Sequence, residues 1–145
     1  MRRVLAVLAL AVALSGCREV RVNQVRSGTT TVLGPREVVV VRDRRSLEGL
    51  GIAVPVDFRK EFVVVLLMGP HRETGWSQLT ESIRANSDRV RIVAFERGPL
   101  DGGEPAPREY RTYTLWVVPN VVYRAGARVE VVEPSGESVA STTLR

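Results

Sequence analysis

The chain alternates between apolar runs and turn-forming clusters, and most of the runs have strand length. Thr29 to Leu33 is a β-branched run after Gly28, and Glu37 to Val41 holds four valines in a row. An unbroken apolar run of this kind predicts a strand covered on both faces. Residues 43–50 break the β pattern. Asp43 can cap a helix, Leu47 and Leu50 sit three apart, and Gly49 and Gly51 can stop it, which predicts one short helix. Phe62 to Met68 predicts the strongest core strand, and Gly69-Pro70 predicts its end.

Trp76 to Ala85 predicts a further strand. In the next run Val90, Ile92 and Ala94 alternate with Arg91, Val93 and Phe95. Residues 98–107 carry three prolines and three glycines, which predicts an irregular segment. Tyr110 to Val118 resumes an aromatic and β-branched strand, with Thr114 and Trp116 on one face and Tyr113 and Leu115 on the other. Arg128 to Val132, the turn at Pro134-Ser135-Gly136, and Ser138 to Leu144 predict a closing hairpin. Short strands, frequent turns and one helix predict a mainly β, mostly antiparallel fold, an open barrel or sandwich-like domain.

The first seventeen residues follow another rule. Arg2 and Arg3 precede eleven apolar residues, Val4 to Leu14, and Ser15, Gly16 and Cys17 follow. As a helix the apolar run spans about 16 Å, roughly half of a ~30 Å hydrocarbon core. That length is poor for a transmembrane helix, and the cationic start, apolar run and small residues predict a secretory signal. Leu14-Ser15-Gly16-Cys17 resembles the lipobox of bacterial lipoproteins. The resemblance implies cleavage between Gly16 and Cys17 and diacylglyceryl attachment to the Cys17 thiol. The expected protein is exported to the cell envelope and held on a membrane by covalent lipid. Two acyl chains suffice for stable anchoring, at about 0.8 kcal/mol per buried methylene. The expected organisation is a signal at 1–16, a tether with first strands at 17–35 and a β domain at 36–145.

Composition adds exclusions. Cys17 is the only cysteine, so a lipidated chain has no disulfide. Signal removal takes Arg2 and Arg3 from a net charge of +5, and the remaining arginines lie scattered among carboxylates. There is no basic block with interleaved aromatics, and nucleic acid is not an expected partner. One histidine, no second thiol and no nucleophile-elbow, zinc-helix or phosphate-loop motif give a poor catalytic set. The expected protein is not an enzyme and needs no cofactor or metal.

The chain also resembles the C-terminal domain of the protease-complex subunit PrcB. The resemblance rests on the short helix Ser46 to Leu50, Val56-Asp57-Phe58, the strand Phe62 to Gly69, the loop His71-Arg72-Glu73-Thr74-Gly75-Trp76, and Tyr113-Thr-Leu-Trp-Val-Val-Pro119. It covers about residues 36–133. The family's usual Thr-Gly-Gly-Tyr is replaced by Thr74-Gly75-Trp76-Ser77, and Thr112 stands where the family has proline. The resemblance implies a β-rich, non-catalytic, often lipid-anchored accessory domain, with an envelope protease as partner. The candidate recognition loop is His71, Arg72, Thr74, Gly75 and Trp76. His71 is expected as a solvated loop residue, Gly75 as a turn glycine and Trp76 as an aromatic anchor. The alternative function is a small-ligand binder or hydrolase using the 71–77 loop, with 98–107 as a lid over His71 and a carboxylate.

Overall fold

Phe62 to Met68 is buried along its whole length because both faces of its sheet are covered. A computed structural model describes residues 24–145 except Ser87 and Tyr123. The signal, Gly16, Cys17 and the tether up to residue 23 lie outside the described residues. Eight strands form two four-stranded sheets. The first sheet has the order β1 (Gln24–Thr30), β6 (Pro105–Pro119), β3 (Glu61–Glu73), β2 (Glu37–Val41), all antiparallel. The second has the order β4 (Ser77–Ala85), β5 (Arg89–Arg97), β7 (Arg128–Val132), β8 (Ser138–Thr143). Within it β5 and β7 run parallel, and the other pairs are antiparallel. The described residues form a mainly β, sandwich-like fold with one short α-helix among them, α1 (Arg44–Gly49), and no closed barrel.

Alternation along each strand sorts the apolar side chains into two cores. Phe62, Val64, Leu66, Trp116 and Val118 from the first sheet meet Val90, Ile92, Ala94, Val129 and Val131 from the second. Val63, Val65, Leu67, Leu115 and Val117 point to the opposite face of the first sheet. There they are covered by Leu47 of α1 and by Ile52 and Val56, with Phe58 partly buried beside them. The expected split of Trp116 from Leu115 and Tyr113 is observed, since Trp116 joins the first core and the other two pack on the second.

The helix starts where Asp43 accepts the Ser46 N–H at 2.8 Å and the Ser46 hydroxyl at 2.7 Å. It ends with the Gly51 N–H donating to the Glu48 carbonyl at 2.8 Å. The Thr30 hydroxyl donates to the Leu50 carbonyl at 2.6 Å, which fastens the end of β1 to the end of α1. Arg111 is buried, and its guanidinium donates to the carbonyls of Val32 and Pro35 and to the Glu37 carboxylate, at 2.8, 3.0 and 3.1 Å. One arginine thus satisfies two backbone carbonyls of the 31–36 connection, each of which would otherwise cost about 1–3 kcal/mol if left unpaired.

Several expected boundaries move. Among the described residues the Thr29 to Leu33 run is strand only at Thr29 and Thr30, the end of Gln24–Thr30, because β6 supplies hydrogen bonds up to Thr30 opposite Arg111. The four-valine run keeps its expected bounds as β2 and is covered on both faces, by the first core at Val38 and Val40 and by the second at Val39 and Val41, although it lies at the edge of its sheet. Gly69-Pro70 does not end β3. The strand continues to Glu73 with two register shifts, between Met68 and His71 and between His71 and Glu73. The irregular segment is shorter than 98–107, since β6 already begins at Pro105.

Candidate functional site

The continuation of β3 past Pro70 carries His71 back over the sandwich, opposite Tyr110 of β6. This corrects the expectation of a solvated loop histidine. His71 lies in a strand, and its side chain is 10% exposed. Burial requires a partner for its ring N–H. His71 Nε2 lies 2.8 Å from Glu96 Oε2, and the Glu96 side chain is equally buried. Glu96 comes from β5 in the other sheet, one position across from Gln78 of β4.

A chain of hydrogen bonds fixes the direction of each donor. Gln78 Nε2 donates to Thr112 Oγ1 at 3.0 Å and to the Leu66 carbonyl at 3.3 Å. The Thr112 hydroxyl donates in turn to Glu96 Oε2. Glu96 Oε2 accepts from Thr112, and a carboxylate oxygen pairs with His71 by accepting from an N–H on Nε2. Two members of this network, His71 and Thr112, belong to the first sheet, and Glu96 and Gln78 belong to the second. It is a polar cross-link at one end of the sandwich. Gln78 Oε1 is buried within it without a partner.

The network supports an aromatic surface. Trp76 stacks on His71 with ring centroids 4.3 Å apart and planes 10° from parallel. Tyr110 lies tilted on the same imidazole at 5.7 Å, and its hydroxyl donates to the Glu73 carbonyl at 2.6 Å. Gly98 presses against the Trp76 ring, where a Cβ would come within 3.2 Å. The loop between β3 and β4 is closed by Thr74. Its N–H donates to the Glu104 carbonyl at 2.8 Å and its hydroxyl to the same oxygen at 3.3 Å. Gly75 follows with φ +95°, the turn glycine that the sequence predicts. Gly103 lies so close over this loop that a Cβ would stand 2.3 Å from the Thr74 carbonyl oxygen. The 98–104 segment is therefore fastened to residues 73–76. Arg72 points outward, ion-paired with Glu109 and 84% exposed.

Between the β3–β4 loop and the start of β6 runs an open groove of about 330 Å³. Trp76, Tyr110, Ala106, Pro107 and Arg108 line it, together with Thr29 of β1. A second open depression of about 390 Å³ lies between Thr74-Gly75 and residues 97–104. Of the predicted loop residues, His71, Thr74, Gly75 and Trp76 come together at this end, while Arg72 turns away. Glu96, Thr112, Gln78 and Tyr110 were missing from the expected set. Thr112 left a signal, as a buried polar residue beside the aromatic and apolar end of β6, whereas Gln78 sits in a mostly polar strand and left none.

The chemistry of the cluster follows from its order. In a hydroxyl–imidazole–carboxylate relay the imidazole sits between nucleophile and acid. Here the carboxylate is central, with His71 on one side and the buried Thr112 hydroxyl on the other. Such an order locks side chains in place and leaves no hydroxyl activated by the ring. Among the described residues, no three His, Cys, Asp or Glu side chains group as metal ligands. Comparison with known protein families, curated proteins and solved structures gave no match.

Proposed function

We propose that this chain is a non-catalytic, membrane-anchored lipoprotein serving as a protein-interaction module, an accessory to an envelope protease complex. The lipobox-like Leu14-Ser15-Gly16-Cys17 supports the anchor, and the PrcB-like residues support the accessory role. The observation that carries the interaction reading is the groove beside Trp76 and Tyr110. Its aromatic rings are braced from behind by the buried His71–Glu96 pair. Rigid aromatic surface of this kind loses little side-chain entropy on binding and is where interface energy concentrates. The ligand-binding or hydrolase alternative has weaker support. His71 and a carboxylate do meet, but beneath Trp76, and the His71 Nε2–H is already engaged.

The test is photo-cross-linking in intact cells from a reactive group at position 29, at the end of the groove, with the products solubilised in detergent and identified by mass spectrometry. The expected product joins this chain to an exported protease or a subunit of one. It should be lost when Trp76 and Tyr110 are both changed to alanine in a variant that still folds. Recovery of the uncross-linked monomer alone, at native expression, removes the interaction reading.

A further inference from the structure

The groove has a chemistry specific enough to name its occupant. Pairing between β1 and β6 stops at Thr30 and Arg111, whereas β6 begins at Pro105. Residues 105–110 therefore extend beyond the end of β1, and the groove lies along them, with Thr29 at one end. An exposed strand edge ordinarily recruits another strand through its free N–H groups. This edge carries Pro105 and Pro107, which have no N–H to give. Main-chain pairing is blunted, and what remains on offer is ring surface: Trp76, Tyr110 and Pro107. A polyproline II segment suits such a surface, because its backbone carries no internal hydrogen bonds and its ring faces stack on aromatics.

Charge narrows the occupant further. Arg108 lines the groove and is exposed, and among the described residues it has no hydrogen-bond or ion-pair partner. Its neighbour Glu109 is already paired with Arg72. A guanidinium in this position calls for a carboxylate on the ligand.

We infer that the groove lined by Trp76, Ala106, Pro107, Arg108 and Tyr110 binds a proline-rich segment of a partner protein in the polyproline II conformation, with an acidic residue placed on Arg108. This inference rests on the interaction reading above and names the ligand class of the same site.

Isothermal titration of the full lipidated chain in detergent micelles tests it, using a synthetic polyproline peptide with one central glutamate. The expected result is saturable binding that falls about tenfold or more in Arg108→Glu, the loss of one charged hydrogen-bonded pair. Arg108 is exposed, so this variant keeps the fold. The same peptide with lysine in place of glutamate binds the native chain weakly and Arg108→Glu more tightly. Three results overturn the inference: no saturable binding, equal affinity for the glutamate and lysine peptides, or tighter binding of a valine- and threonine-rich strand-forming peptide. Cross-linking of a protease from position 29 without peptide binding leaves the interaction reading intact and removes only the polyproline assignment.

Discussion

Glu96 accepts hydrogen bonds from His71 and Thr112 at a point where neither donor reaches water freely. Glu96→Ala strands both donors and lowers stability by about 2–4 kcal/mol, readable as a lower urea midpoint. Glu96→Gln keeps one acceptor and costs less. Both variants alter the near-ultraviolet circular dichroism of Trp76, whose stacking partner is released. At the other end of the molecule, the Ser46 backbone N–H and then its hydroxyl hold the Asp43 carboxyl below its ordinary value. A depressed carboxyl contributes its stability above the unfolded carboxylate range and loses it as pH falls through the folded value. Hydrogen-exchange protection of the Ser46 amide is therefore expected to fall on acidification, and Asp43→Asn should flatten that dependence. Residue roles of these two kinds differed in legibility. The Asp43 cap is a local pattern and could be read directly. Glu96 lies between Phe95 and Arg97 in an ordinary alternating strand, and only the other sheet gives it a partner.

The elements were legible in proportion to how continuous their burial is. Phe62 to Met68 is apolar at every position because α1 and residues 52–56 cover one face and the second sheet covers the other. Leu66→Ala in this strand is expected to cost about 2–5 kcal/mol, again from denaturant midpoints. β1 was misplaced for the opposite reason. Gln24–Thr30 is an edge strand with mostly exposed side chains, held by β6 backbone pairing, so its residue types carry little signal. The end of β3 was misplaced because Gly69-Pro70 reads locally as a stop. Pairing with β6 resumes beyond it through shifted register, and this is what brings His71 opposite Tyr110. Much of the candidate site depends on that continuation.

On the scale of the whole molecule, sandwich architecture followed from many short strands, but the division of strands between sheets did not. No local pattern distinguishes a strand that pairs with its neighbour from one that crosses over. The proposed anchor belongs to this scale as well. Cys17→Ser is expected to abolish lipid attachment, leave the precursor uncleaved before residue 17, and keep the β domain folded, since the chain has no other cysteine to lose. Mass spectrometry of the membrane fraction checks the first two points and circular dichroism the third. The parallel pairing of β5 with β7 has a further effect. The chain leaves the second sheet after Arg97, lays β6 between β1 and β3 in the first, and returns to place β7 beside β5. Neither sheet is built from one continuous stretch of sequence. β1 waits about eighty residues for its partner, so the fold is rich in distant contacts and is expected to assemble slowly. In the proposed export the valine-rich strands emerge before β6 does, and they stay open to aggregation until it arrives. Unfolding should then be a single cooperative event, with no half-molecule stable enough to persist alone.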